Sequence, residues 1–109
     1  AARACQFNLL SCPRCSGVIK PGIVFFGEAL PGEAMDRSFA AAREAEVVLA
    51  VGTSLAVLTG LWVLREAWGT GAKVAVINRG PTAADSLADV RVSGGASQVL
   101  TQVAEILLD

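Results

Sequence analysis

Three cysteines lie in the first 15 of 109 residues, and two of them, Cys12 and Cys15, form a Cys-Pro-Arg-Cys motif. Two thiolates at this spacing can supply half of a tetrahedral zinc site. The Ser16-Gly17 pair that follows suits a metal-binding turn better than the helix that usually follows a redox Cys-x-x-Cys motif. Zinc is therefore favoured over a redox pair or two free thiols. Cys5 has no common spacing to the pair, and we interpret it as a bystander.

A second group of polar residues, Gly52-Thr53-Ser54, follows the apolar run 47–51. A glycine lets a ligand approach the backbone closely, and the amides that open a following helix favour anionic oxygens. With their hydroxyl groups, Thr53 and Ser54 can hold phosphate or ribose oxygens. The simpler alternative is that one of these hydroxyls only caps the helix.

A third group, Asn78-Arg79-Gly80, follows the apolar run 73–77. An amide side chain both donates and accepts, so Asn78 can bond ribose hydroxyls, as an acidic residue does in Rossmann folds. The alternative is a turn in which Asn and Gly serve only the backbone. Two such groups after adjacent strands indicate a nucleotide site. The chain contains neither a Walker A motif nor a GxGxxG motif, so we expect the main phosphate loop upstream of Ala1.

The elements that position these groups are visible as short apolar runs and helical periodicities. Continuous apolar runs are typical of strands buried on both faces of a parallel sheet, and apolar residues spaced by three or four predict helices. The sequence predicts strands at 23–26, 47–51, 73–77 and 89–92, and helices at 33–45, 55–68 and 97–108. Alternating strands and helices predict an α/β fold whose parallel sheet binds ligands at its carboxyl edge. We expect Trp62 and Trp68 to pack against this sheet.

Composition limits the classes of partner. Hydrophobic residues make up 53% of the chain, which is enough for a core and excludes wholesale disorder. The net charge is −1 without a Lys/Arg cluster, which argues against nucleic acid or an anionic membrane as a partner. No apolar run approaches the ~20 residues of a membrane span. Reduced thiols suggest a cytoplasmic protein, of bacterial origin by composition, or a mitochondrial one if eukaryotic.

Several ordered segments resemble one known family. Residues 12–28, CPRCSGVIKPGIVFFGE, resemble the sirtuin segment that leads from the second zinc Cys-x-x-Cys motif into the substrate-binding strand. Residues 52–55 and 77–78 resemble the two later NAD motifs of that family, in the same order and spacing. The stretch 78–82 looks most like class II, the sirtuin 4-like branch. The resemblance extends over nearly the whole chain.

Sirtuins are NAD-dependent protein lysine deacylases, and some are ADP-ribosyltransferases. The resemblance implies an enzyme that consumes NAD, acts on an acyl-lysine protein or peptide, and releases nicotinamide and O-acyl-ADP-ribose. It also implies a Rossmann-like NAD-binding domain with a small module that holds structural Zn²⁺. Residues 1–20 would belong to the zinc module, and residues 21–109 would form the C-terminal part of the NAD-binding domain.

The resemblance also implies roles for individual residues, as metal ligands, substrate contacts and cofactor contacts. Cys12 and Cys15 would be the second pair of a four-cysteine zinc site. Substrate backbone would pair with Val24, Phe26 and Gly27. Gly52, Thr53 and Ser54 would contact the phosphate–ribose region of NAD. Asn78, Arg79 and Gly80 would lie at its adenosine end, and Ala96 would lie near adenine.

The sequence departs from the family in three larger features and two single residues. The first zinc Cys-x-x-Cys and the Gly-Ala-Gly phosphate loop have no counterpart here. The catalytic His has none either, since the chain contains no His. Gly22 stands where the family has Asp or Asn, and Ser16 replaces a frequent Gly. In the family the His is the general base on a cofactor ribose hydroxyl. We therefore expect the C-terminal half of a sirtuin, inactive alone.

Two alternatives remain open from sequence. One is the nucleotide-cofactor domain of another enzyme, of the thiamine-diphosphate central-domain type, which would not require the cysteine pair. The other is a non-catalytic zinc-knuckle interaction module, which predicts no NAD contact at Ser54 or Asn78.

Overall fold

The computed structural model describes residues 10–108 and forms two compact units, Ala1–Leu30 and Pro31–Asp109. The elements of the larger unit are α1 (Gly32–Glu44), β1 (Val47–Val51), α2 (Leu58–Gly69), β2 (Lys73–Ile77), a 3-10 turn (Asp85–Leu87), β3 (Val90–Val92) and α3 (Ala96–Leu108). Among the described residues, no helix is long and apolar enough to cross a bilayer.

The sheet of the larger unit has the strand order β1-β2-β3, and both pairings are parallel. Val47 pairs with Lys73, and Ala75 pairs with Val90. The predicted α/β fold with a parallel sheet is therefore confirmed. The start of α2 falls later than predicted because Leu55 has φ +53, a left-handed conformation that cannot begin an α-helix.

The core lies between one face of the sheet and the helices α1 and α2. Val74 and Val76 of the central strand are fully buried there, together with Leu61 and Leu64 of α2. Strand side chains alternate between faces, so Leu49 lies on the opposite face and is 51% exposed. The predicted burial of β1 on both faces is therefore not observed within the described chain.

Two other expectations about apolar residues fail. Residues 23–26 form no strand: Glu28 N–H donates to the Phe25 carbonyl at 3.0 Å, which closes a turn. The β-branched and aromatic pattern indicates strand propensity, but a strand also needs a partner backbone, and here the Phe25 N–H and carbonyl are bonded within the turn instead. Trp62 and Trp68 are about half exposed, because the buried face of α2 runs through residues 61, 64 and 67.

A side chain reinforces the attachment of β3 to β2. Asp89 accepts the Val74 N–H at 2.9 Å through one carboxylate oxygen and the Lys73 ammonium at 3.0 Å through the other. These two contacts, the amide first, hold the pKa of Asp89 below its usual value. Because the folded pKa is the lower one, this stabilisation is present above about pH 4 and is lost as the pH falls through the folded pKa.

Asp89→Ala is therefore expected to lower Tm at pH 7 by several degrees, since the Val74 amide loses its acceptor. The difference in Tm between the variant and the wild type should shrink as the pH falls below about 4 and through the folded pKa of Asp89, because the wild-type carboxylate then becomes protonated. Thermal melts of both proteins at pH 7 and pH 3 measure this. An equal Tm difference at both pH values would contradict the assignment.

Candidate functional site

A cavity of about 440 Å³ lies in the larger unit, at the carboxyl ends of β1 and β2 and the N-terminus of α3. Its lining comprises Gly52, Asn78, Arg79 and the run 94–98. The structure thus brings together Gly52 of one predicted polar group, Asn78 and Arg79 of the other, and Ala96, which the resemblance implied. This is the carboxyl edge of the sheet, where open parallel sheets bind ligands.

Gly52 forms the side of the cavity nearest β1. Its N–H donates to the Ile77 carbonyl at 2.9 Å, which continues the β1–β2 pairing by one residue. Its φ of +64 then turns the chain out of the sheet, in a conformation that glycine adopts without strain. A Cβ at this position would lie 3.6 Å from the Ala96 Cβ. The missing side chain therefore keeps the gap between the end of β1 and α3 open.

Thr53 and Ser54 do not line the cavity, and they do not cap α2 either. The Thr53 hydroxyl accepts the Leu55 N–H at 3.1 Å, and the Ser54 hydroxyl accepts the Ala56 N–H at 3.4 Å. The helix begins only at Leu58, without a side-chain cap. The capping alternative is therefore wrong, and so is the expectation that helix amides follow Gly52 directly. A hydroxyl that accepts one bond can still donate its own proton to a ligand.

Asn78 and Gly80 form a turn at the end of β2. The Asn78 side-chain amide donates to the Gly80 carbonyl at 2.9 Å, and its backbone N–H donates to Val92 O at 3.1 Å. The turn expected as the alternative is thus present, and Asn78 also lines the cavity. Gly80 itself is not part of the lining.

Arg79 brings a positive charge to the cavity. A Cβ on Gly95 would lie 3.0 Å from Arg79 Nη2, so the guanidinium lies against that glycine, just before α3. A Cβ on Gly94 would lie only 2.7 Å from a methyl carbon of Val99. Both glycines therefore permit close packing of the loop at the helix N-terminus, where amides and a cation together favour anionic groups.

Arg91 on β3 was missed by the sequence analysis. Its guanidinium donates to the carbonyls of Asn78 at 2.9 Å, Gly80 at 2.6 Å and Val92 at 2.7 Å. Its Nε donates to an Asp85 oxygen at 3.0 Å. A single arginine in a short apolar strand was the available signal, but its partners lie up to 13 residues away and become visible only in the fold.

Asp85 stays ionised beside this arginine. The hydroxyl and the amide N–H of Thr82 both donate to its carboxylate, and Arg91 adds a charged donor. These donors, those of Thr82 first, hold the pKa of Asp85 below its usual value. Arg91 therefore keeps an anionic partner at neutral pH.

The cysteine pair lies in the smaller unit, in a tight turn. Ser16 N–H donates to Cys12 O at 2.8 Å, Cys12 N–H donates to Gly17 O at 2.9 Å, and Ser16 has φ +59. Cys12 is partly exposed and Cys15 exposed, and neither forms a disulfide. This geometry fits the metal-binding turn better than the helix of a redox motif.

Amide groups of Arg14 and Cys15 donate to the Cys12 sulfur, and they lower the pKa of its thiol. The thiolate is the form that binds metal ions. Among residues 10–108, no three His, Cys, Asp or Glu side chains cluster as a metal site would require. The described pair thus offers two ligands, and Cys5 lies outside the described residues.

The three residues expected to contact substrate also lie in the smaller unit. Phe26 is 94% exposed, Val24 is exposed, and Gly27 has φ +87 within the turn. Lys20 pairs with Glu28, and its ammonium lies 5.2 Å from the Phe25 ring centroid. Lys20 and then the Phe25 amide lower the pKa of Glu28. The segment therefore presents apolar side chains on a turn held by an ion pair.

Comparison with known proteins identifies the family. Residues 2–59 match the model of the Sir2 family, and this match covers more than half of the chain. The chain belongs to the Sir2 family. This membership excludes the thiamine-diphosphate domain and the independent knuckle module as its origin.

Named relatives and solved structures agree with this placement. The chain is 38% identical over 106 residues to NAD-dependent protein deacetylase 1 of Mycobacterium avium, covering 97% of this chain and 38% of the relative. It is 40% identical over 102 residues to NAD-dependent protein deacylase SIR4 of Batrachochytrium dendrobatidis, covering 94% and 33%. A structure of Sir2Tm bound to a propionylated peptide aligns with a TM-score of 0.86 at 27% identity, covering 92% of this chain and 42% of that one. A Sir2 complex with a p53 peptide and NAD⁺ gives 0.85 at 27% identity, covering 92% and 42%. The chain thus spans about a third of the length of the curated relatives it matches.

Proposed function

We propose that the protein containing this chain is an NAD-dependent protein lysine deacylase that releases nicotinamide and O-acyl-ADP-ribose. The observation that supports this most directly is the cavity at the strand ends, with Gly52, Asn78 and Ala96 in its lining. Relatives named NAD-dependent deacetylases and a Sir2 neighbour in complex with NAD⁺ and a peptide support the same activity.

The cavity lining and the residues next to it fit the adenosine half of NAD. Asn78 uses an N–H of its amide on Gly80, so its amide oxygen is the atom that accepts a ribose hydroxyl. Gly52 brings the backbone close, and the hydroxyls of Thr53 and Ser54 donate toward phosphate or ribose oxygens. Arg79 and Gly80 belong to the adenosine end, and Ala96 packs near adenine. When bound, NAD supplies the activated bond to nicotinamide, and these residues bind and orient it.

The catalytic base is proposed to come from outside this chain, because the sequence contains no His. In this proposal residues 1–20 belong to a zinc module and residues 21–109 to the NAD-binding domain. Cys12 and Cys15 supply two of four thiolates to a structural Zn²⁺, whose role is to stabilise the fold of that module. The lowered pKa of the Cys12 thiol supports this role.

The acyl-lysine substrate is proposed to pair with the backbone of Val24, Phe26 and Gly27. An added peptide strand supplies the partner that this segment needs in order to become extended. The exposed Phe26 ring offers an apolar contact beside it. We further propose class II membership, supported by the SIR4 relative of Batrachochytrium dendrobatidis. The free thiols of Cys12 and Cys15 support a cytoplasmic location. The net charge of −1 supports the absence of nucleic-acid and membrane partners.

The proposal is tested by incubating the full-length protein with NAD and an acetyl-lysine peptide and measuring nicotinamide. We expect release that requires the peptide. Asn78→Ala should raise the KM for NAD about 10-fold by removing the ribose acceptor. Gln102→Ala removes an amide from an exposed position on α3 outside the cavity lining, and it should leave KM unchanged. Absence of nicotinamide release from the wild-type protein would contradict the proposal.

A further inference from the structure

We propose that Arg91 is a positioning residue for the NAD site, which orients the Asn78 side-chain amide through the carbonyl of Gly80. This proposal rests on the proposed function, since it concerns the same cavity. Arg91 lies on β3 and is absent from the cavity lining, so it does not act by touching the ligand there.

The link between the two side chains is one carbonyl oxygen. Gly80 O accepts both Arg91 Nη2, at 2.6 Å, and Asn78 Nδ2, at 2.9 Å. A carbonyl has two lone pairs, so these donors together satisfy it. Because the oxygen is held by the guanidinium, its remaining lone pair fixes the direction in which the Asn78 amide must turn.

The same guanidinium holds the other end of the turn. Nη1 donates to the Asn78 carbonyl at 2.9 Å, so both Asn78 and Gly80 are attached to one rigid planar group. Asp85 fixes that group from behind by accepting Nε at 3.0 Å. Asp85 is itself held by Thr82, and the Arg91 side chain is only 27% exposed. The Arg91 guanidinium is therefore held between the 78–80 turn and the Asp85 carboxylate.

The backbone pairing of β3 does not depend on this side chain. Ala75 pairs with Val90 and Ile77 with Val92 through main-chain groups. Loss of the guanidinium should thus leave the sheet in place and free the 78–80 turn. A lysine keeps the charge but lacks the planar fork, and one ammonium cannot reproduce the separated contacts to Asn78, Gly80 and Asp85.

The test uses the full-length protein and four variants: Arg91→Lys, Arg91→Met, Asn78→Ala and Arg91→Met/Asn78→Ala. Arg91→Met should raise the KM for NAD about 10-fold while kcat changes less than about twofold. Arg91→Lys should also raise the KM for NAD, by more than half of the Arg91→Met increase when both are expressed as logarithms. In the Asn78→Ala background, Arg91→Met should change KM by less than about twofold, because its effect passes through that amide.

Melting curves check that each variant folds, and Asp85→Asn serves as a second route if Arg91→Met does not fold. Asp85→Asn keeps the shape but weakens the hold on Nε, so it should raise KM about threefold. Additive effects of Arg91→Met and Asn78→Ala, full rescue by lysine, or an unchanged KM in the folded Arg91 or Asp85 variants would overturn the positioning role alone. A wild-type protein that neither binds nor consumes NAD would instead overturn the proposed function, and this inference with it.

Discussion

Replacing Gly52 by alanine is expected to weaken NAD binding about 10-fold or more. Any residue with a Cβ pays roughly 1–2 kcal/mol to adopt the left-handed conformation that Gly52 has at φ +64. The added methyl group would also enter the gap beside Ala96, 3.6 Å from its Cβ, where the ligand must pass close to the backbone. Calorimetric titration of NAD into the full-length protein measures the change in Kd.

Gly69→Ala is the matched control. Gly69 is the last residue of α2, it does not have a positive φ, and a Cβ there would have no neighbour within 4 Å. This variant should bind NAD with the affinity of the wild type. If Gly52→Ala and Gly69→Ala gave the same Kd, the end of β1 would not form part of the cofactor site.

Replacing Cys12 or Cys15 by serine is expected to reduce bound zinc from about one equivalent to near zero in the full-length protein. A serine hydroxyl is not ionised at neutral pH, whereas the amides around Cys12 already favour its thiolate. Because metal binding stabilises the fold of a small module, the melting temperature should also fall. Metal analysis of the purified variants, followed by thermal melts, measures both effects.

Two controls accompany the cysteine variants. Cys5→Ser removes the thiol that we interpret as a bystander, and zinc should be retained. Ser16→Gly keeps the turn, because glycine adopts φ +59 without strain, and zinc should again be retained. Full zinc occupancy in both Cys12→Ser and Cys15→Ser would contradict the metal assignment.

Local pattern was enough to predict the main elements of the larger unit. The apolar runs at 47–51 and 73–77 became β1 and β2 with those bounds, and the helical periodicities became α1 and α3 within a residue at each end. These elements form where the sequence itself supplies both propensity and an apolar face. The parallel pairing then follows from the helix between the strands.

Features that depend on distant partners could not be predicted in the same way. The run 23–26 has strand propensity, but the Phe25 N–H donates to the Glu28 carboxylate, and the Phe25 carbonyl accepts the Glu28 N–H in a turn. The left-handed Leu55, which delays α2, has no sequence signal because leucine disfavours that conformation.

The cavity lining was predicted in part. Gly52, Asn78, Arg79 and Ala96 were expected from strand-end chemistry or from the resemblance, and the fold brings them together. The hydrogen bonds of Arg91 to the 78–80 turn could not be predicted, because only the β2–β3 pairing brings the carbonyls of Asn78 and Gly80 to it.

The central claim is that the edge formed by the ends of β1 and β2 and the start of α3 binds NAD. Hydrogen exchange of the full-length protein, with and without saturating NAD, tests it most directly. We expect slowed exchange of backbone amides in three segments, 52–56, 78–82 and 93–98. Unchanged exchange in all three segments, while NAD protects amides elsewhere in the protein, would contradict it.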